Sequence, residues 1–147
     1  MTRQSNAWLV VAGSMSALAS LIHVGCIVEG PSWYRIFGAP ESLIRAVENG
    51  DPTLDWMTAG IAAILALWSA YAFAGAGLIR RLPLMRTALV AITAIYLARG
   101  LLIVPVAMQL SYEKAPGDYW SSAIVLLYGI VHAVGTWRAW PPLSVRG

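Results

Sequence analysis

The chain has 147 residues, of which 59% are hydrophobic and only 12% are charged. Ordinary soluble domains are roughly 45–50% apolar and about 25% charged, so an average soluble fold could not bury this much apolar surface. The composition therefore predicts a membrane protein. A formal net charge of +3, spread over several loops, is too small for a nucleic-acid-binding protein, and the single cysteine, Cys26, excludes an internal disulfide.

Four apolar segments follow one another along the chain. Each is close to the roughly 20 residues that a helix needs to cross a hydrocarbon core about 30 Å thick. Lipid offers no hydrogen-bond partner to an open backbone, so all four are predicted to be helices. They cover about residues 8–28, 54–79, 84–110 and 119–140 of a single domain, 1–147. The predicted fold class is an all-α integral membrane protein, a four-helix transmembrane bundle.

The loop after the first segment contains a further predicted helix. Residues 40–49 place Leu43, Ile44 and Val47 on one side and charged residues on the other, and Gly50 follows as a C-terminal cap. This pattern predicts a short amphipathic helix in the first extracytoplasmic loop. Two interpretations stay open: the helix lies on the outer membrane surface, or it is a solvated connector.

Turn and cap residues mark the later helix ends. Asp51 and Pro52 offer an N-cap and a first-turn proline to the second segment. Pro141 and Pro142 are expected to end the fourth segment just after Trp140.

Small residues predict the packing faces, because apolar contact alone gives no drive for helix association in lipid. The predicted small-residue stripes are Ala12, Ser16 and Ser20 on the first helix, Ala66, Ala70 and Ala74 on the second, and Gly129 and Ala133 on the fourth.

The basic residues predict the orientation. The second loop holds Arg80, Arg81 and Arg86 without an acidic residue, whereas the first and third loops hold the acidic residues. By the positive-inside rule, the second loop and both termini are expected in the cytoplasm. The predicted location is a bacterial inner membrane, with the first and third loops outside.

Three ionisable residues lie inside the predicted spans, namely Arg99, His23 and His132. A charged group at membrane depth costs about 2.5–3.5 kcal/mol even on insertion scales, so it needs a partner or water. Arg99 lies near the middle of the third helix, with Tyr96 one turn earlier on the same face. It is either an anchor for an anionic ligand, a structural arginine bonded within the bundle, or part of an interface with another protein.

The two histidines extend this candidate site. His132 has Tyr128 one turn away on the fourth helix, and His23 lies in the outer third of the first helix. Each histidine either lines a polar cavity or is a hydrogen-bonded core residue. The predicted cavity opens outward, with His132 at its floor. The candidate ligand-binding residues are Arg99, Tyr96, His132, His23, Tyr128, Glu29 and Asp55.

Haem and metal are not expected cofactors. By the rise of about 1.5 Å per residue, His132 lies on the order of 10 Å deeper than His23, whereas a bis-histidine haem needs ligands at matched depth. Zinc needs three or four ligands, which the candidate residues do not supply on one face.

Two function classes remain. The first is a small membrane subunit that binds a lipophilic or anionic small molecule, or that binds a partner membrane protein, either a different protein or a second copy of this chain. The alternative is a membrane-embedded enzyme that performs acid–base chemistry on a lipid-like substrate, with a histidine as base and Arg99 stabilising negative charge.

Overall fold

The structure, a computed structural model, describes the backbone of residues 6–109 and 117–144 and the side chains of residues 6–102 and 119–141. This part of the chain is helical and contains no strand. The helices are α1 (Ala7–Glu29), α2 (Pro31–Ile36), α3 (Glu41–Glu48), α4 (Thr53–Ala76), α5 (Met85–Gln109) and α6 (Gly117–Ser144). Four of them, α1, α4, α5 and α6, are long and apolar enough to cross a membrane. The chain is a multi-pass membrane protein built as a four-helix bundle.

The ends of α4 follow its cap chemistry. The N-cap of α4 is Pro52 and not the predicted Asp51, because the helix begins at Thr53. Asp51, one residue before the cap, accepts hydrogen bonds from the backbone and hydroxyl of Thr53, at 2.9 and 2.6 Å. The helix ends at Ala76, before the predicted residue 79, because Gly77 adopts a left-handed conformation with φ 82°. Its N–H donates to the Ala74 carbonyl at 3.1 Å, which satisfies the last turn.

Helix α6 runs on to Ser144, past the predicted end at Trp140. The φ angle to which proline is locked is compatible with helix, and Pro141 and Pro142 remove hydrogen bonds only from the last turns. The double proline therefore weakens the last turns of α6 but does not determine the residue at which the helix ends.

The long helices form two tight pairs. Helix α1 packs along α4, which together are called the first pair, and α5 packs along α6, the second pair. The pairs meet chiefly along α1 and α6, and within the described residues no Cα atom of α1 comes within 8 Å of one in α5. Glycine allows the close approach: a Cβ at Gly100 of α5 would lie 2.7 Å from the Leu126 backbone of α6.

The end of the bundle that holds Asn6, the α4–α5 loop and Ala139, called the terminal end, is closed by all four long helices. The Asn6 side chain donates to the Gly135 carbonyl at 2.8 Å, and its backbone N–H donates to the Ala76 carbonyl at 3.4 Å. The buried residues behind this contact are Leu9, Ala74, Ala76, Met85, Leu89 and Ala139.

The opposite end, called the cap end, carries α2 and α3 over the first pair only. Ile44 of α3 is fully buried against Cys26, Tyr34 and Leu54. The apolar side that a membrane-surface helix would give to lipid is thus occupied by the protein itself. Helix α3 is a connector that caps α1 and α4, and the interpretation as a membrane-surface helix does not describe it.

The polar side of this cap is held by ion pairs. Arg35 of α2 lies 2.7 Å from Glu48 and 3.5 Å from Glu41, and Arg45 lies 3.6 Å from Glu41. These carboxylates raise the pKa of the Arg35 guanidinium, with Glu48 the larger cause. All of these side chains are substantially exposed, so we assign the buried apolar face of α3 the larger part in holding the cap.

The predicted packing stripe on α1 is confirmed, because Ala12, Ser16 and Ser20 are all buried. The stripe predicted on α4 is wrong at Ala66, which is exposed. The buried face of α4 instead carries Ser69, whose hydroxyl donates to the Gly13 carbonyl at 2.8 Å. An alanine-rich helix has several faces that consist of small residues. The face that is buried here is not the predicted one but the one that carries the Ser69 hydrogen bond.

Candidate functional site

The most deeply buried polar side chain of the candidate site is His132 on α6, which is 0% exposed. Its Nδ1 lies 3.0 Å from the carbonyl oxygen of Tyr128. A carbonyl only accepts, so in the neutral ring Nδ1 carries the proton and Nε2 holds a lone pair. Within the described residues this buried Nε2 has no hydrogen-bond partner. An unmet buried acceptor costs about 1–3 kcal/mol, so Nε2 is the position where a donor group would stabilise the site.

The ring of Tyr96 packs against this histidine and against two further aromatic rings. The Tyr96 ring centroid lies 5.0 Å from that of His132, 5.7 Å from Tyr128 and 4.8 Å from Trp68. The Tyr96 hydroxyl is 3.0 Å from the Ser16 hydroxyl, and this contact links α5 to α1 across the bundle. Trp68, Tyr96, Tyr128 and His132 are called the aromatic cluster below. It contributes side chains from both pairs and fills the middle of the bundle.

Arg99 lies one helical turn beyond Tyr96, toward the cap end. Its Nη1 donates to the Ser122 hydroxyl at 3.3 Å and its Nη2 to the Ser121 hydroxyl at 3.4 Å. Both distances exceed the 2.7–2.9 Å typical of charge-assisted hydrogen bonds. No described carboxylate lies within 4.0 Å of this guanidinium, and the side chain is partly exposed. Among the described residues, its hydrogen-bond partners are these two serine hydroxyls.

His23 faces the same half of the bundle from the first pair. It is half-buried, and its Nδ1 lies 2.7 Å from the Ala19 carbonyl. Both histidines thus hold Nδ1 on the carbonyl one turn earlier, and Nε2 is turned away from the helix that carries it. The structure places no described contact between His23 and Arg99.

The two pairs are joined unevenly along their length. At the middle of the bundle, Ala19 and Val125 pack against the buried Leu65, Ile92 and Tyr96. Farther toward the cap end, no hydrogen bond, ring contact or buried cluster among the described residues connects one pair with the other. Among the described residues, His23 and Arg99 therefore make hydrogen bonds only within their own pairs.

The remaining two candidates lie at the cap and not beside Arg99. Glu29 is exposed at the end of α1. Asp55 accepts a 2.7 Å hydrogen bond from the Tyr34 hydroxyl, which ties α2 to α4. Burial raises the pKa of Tyr34 to about 12, and Asp55 adds to this rise while the Thr58 hydroxyl opposes it. Tyr34 therefore stays a donor at neutral pH, and Asp55 is engaged in holding the cap.

The structure adds residues that the sequence did not indicate for this site, Ser16, Trp68, Ser121 and Ser122. Trp68 had a detectable signal, because it is the one tryptophan of seven that lies away from a predicted helix end. Ser121 and Ser122 had no such signal, because serines near the start of a span are ordinary boundary residues.

The described residues contain no group of three or more His, Cys, Asp or Glu side chains that could hold a metal ion. No protein-family profile matches the chain, and no curated protein or solved structure is significantly similar to it.

Proposed function

We propose that this chain is a small membrane subunit that binds a lipophilic anion between the two helix pairs, with Arg99 as the anchor for the negative charge. The observation that carries the proposal is the state of Arg99 itself. It lies inside a span, partly exposed, with two long hydrogen bonds to serine and no described carboxylate within 4.0 Å. A ligand carboxylate or phosphate would supply the bidentate partner that a guanidinium prefers.

The proposed place for such a ligand is the half of the bundle that contains His23 and Arg99. In the proposed complex the charged group contacts Arg99, and the apolar part lies between the two pairs on the cap side of the Ser16–Tyr96 contact. The aromatic cluster forms the floor. At that floor His132 Nε2 would accept a hydrogen bond from a hydroxyl or N–H group of the ligand, or from water.

The proposed location is a bacterial inner membrane with both termini in the cytoplasm, so that the ligand cleft opens outward. The support is the distribution of charge. Arginines cluster at the terminal end, at Arg80, Arg81, Arg86 and Arg138, whereas Arg35 and Arg45 at the cap end are paired with acidic residues.

An enzyme is the second candidate, and one observation favours it. The Tyr128 carbonyl fixes the His132 tautomer that leaves Nε2 as a base, which is a requirement of general acid–base catalysis. In that case Arg99 would stabilise the negative charge of an intermediate. Replacement of His132 by Gln would abolish turnover in an enzyme, whereas a binding subunit would keep most of its affinity through Arg99.

Binding of oleate to the purified protein in a mild non-ionic detergent, measured by native mass spectrometry, tests the proposal. Oleyl alcohol has the same chain without the charge and is the matched probe. We expect the wild type to bind oleate about tenfold or more tightly than the alcohol, as one charged hydrogen-bonded contact of about 1.5–3 kcal/mol predicts. Arg99→Gln should remove that preference.

Arg45→Gln is the matched control, since it removes an exposed arginine at the cap and should leave oleate binding unchanged. If Arg99→Gln binds oleate as the wild type does, the proposal is wrong. If it also lowers thermal stability, Arg99 is a structural arginine. A stable dimer that dissociates only in Arg99→Gln would instead assign the residue to a protein interface.

A further inference from the structure

The terminal end carries a group of arginines. Its described arginines are Arg80, Arg81, Arg86 and Arg138. The acidic side chains that the structure describes all lie at the cap end or on the adjoining ends of α1 and α4, and they are Glu29, Glu41, Glu48, Asp51 and Asp55. An anionic partner would therefore meet little repulsion at the terminal end.

Arg138 lies in a defined geometry at this end. Its guanidinium on α6 sits over the indole of Trp8 on α1, 5.5 Å from the ring centroid. Such a contact involves the charge of the guanidinium and provides no oxygen acceptor for its N–H donors. No described carboxylate lies within 4.0 Å of Arg138. The indole restricts the arginine, so less conformational entropy is lost when it binds an anion.

Next to this pair, helices α1 and α6 pack closely, since a Cβ at Gly135 would lie 2.8 Å from the side chain of Leu9, which is fully buried. The apolar surface at this end is therefore formed by exposed side chains beside the α1–α6 seam and not by the seam itself. Trp8 is 38% exposed and Trp137, which precedes Arg138 on α6, is 79% exposed, so this end of the bundle has the exposed indoles that are typical of the headgroup region. Val11 is exposed farther along α1.

We propose that the terminal end of the α1–α6 seam is a binding site for an anionic phospholipid. The edge of the Arg138 guanidinium contacts the phosphate, Trp8 and Trp137 contact the glycerol region, and the acyl chains lie on the apolar surface below. A lipid fits better than free phosphate because the site joins one oriented cation to exposed indoles and to an apolar surface. This site is separate from Arg99, and the proposal does not depend on the proposed function.

Native mass spectrometry of the purified protein, titrated with phosphatidylglycerol and with phosphatidylcholine of the same acyl chains, tests the site. We expect the wild type to retain phosphatidylglycerol preferentially. Arg138→Gln should weaken its binding about fivefold, the effect of roughly 1 kcal/mol for one arginine near a membrane surface. Arg138→Lys should give an intermediate value, since it keeps the charge and loses the planar donor set.

Arg45→Gln, which removes an exposed arginine at the cap end, serves as the control and should leave phosphatidylglycerol binding unchanged. Inorganic phosphate at millimolar concentration should not displace the lipid. Equal retention of the two lipids, an unchanged preference in Arg138→Gln, or displacement by inorganic phosphate would each overturn the proposal. A loss of thermal stability in Arg138→Gln that Arg138→Lys restores, without any change in lipid binding, would assign the Trp8 contact to folding alone.

Discussion

The terminal and cap halves of this bundle are built differently although the same four helices run through both. At the terminal end, Leu9, Met85 and Ala139 bring α1, α5 and α6 into one buried cluster with α4. At the cap end, α2 and α3 cover only the first pair, and the buried cluster there is built from that pair and these two short helices. The terminal cluster joins all four long helices, and the proposed ligand site lies toward the other end, at Arg99.

The largest expected effect comes from the closed half. Leu9 is fully buried where the helices meet, so Leu9→Ala should destabilise the protein by about 2–5 kcal/mol. Leu18 on the same helix is 57% exposed, and Leu18→Ala should have a far smaller effect. Reversible unfolding of both variants in mixed micelles measures the difference. Equal destabilisation would mean that the terminal end does not hold the pairs together.

A smaller effect is expected inside the second pair, next to Arg99. Gly100→Ala places a Cβ 2.7 Å from the Leu126 backbone, which cannot move aside as a flexible side chain could. Such overpacking should cost about 1–3 kcal/mol. Gly60→Ala on α4 meets nothing within 4 Å and should be neutral or stabilising by up to about 1 kcal/mol. If Gly100→Ala is as stable as Gly60→Ala in the same assay, α5 and α6 are not in close contact at this level.

The smallest effect belongs to the cap, and it depends on pH. The pKa of Tyr34 is raised from 10.0 to about 12 in the folded protein, chiefly by burial. The folded state therefore holds this proton more tightly, and the resulting stability is complete below pH 10 and is lost as the pH rises from about 10 to 12. Melting temperatures of the wild type should fall more steeply over this range than those of Tyr34→Phe. Parallel curves would show that the Tyr34 proton does not stabilise the fold.

The sequence predicts the spans well because each rests on a strong physical signal, a long apolar segment with no alternative to helix in lipid. It also places Tyr128 and His132 on one face of α6, since residues one turn apart on a helix share a face. That Tyr96 lies against both rings depends on the α5–α6 pairing. Which helices form the pairs could not be predicted, because a helix surrounded by lipid shows little amphipathic pattern.

Which face of α4 is buried could not be predicted either. Its many alanines offer several small faces, and the buried one is marked by Ser69 and its bond to Gly13. Likewise, the sequence could not tell that Asp55 would be engaged by Tyr34, since that contact depends on how α2 folds back over α4. Tertiary contacts of this kind are outside what periodicity and spacing can show.

The central claim is that Arg99 faces an open space between the two pairs, and chemical accessibility tests it most directly. We would place Arg99→Cys and, as a buried control, Ile92→Cys in a Cys26→Ala background and treat intact cells with a membrane-impermeant, sulfonate-bearing thiol reagent. Modification at position 99 from the outside, with none at position 92, is the predicted result. If position 99 is as unreactive as position 92, there is no aqueous path to Arg99 and the proposed ligand site is contradicted.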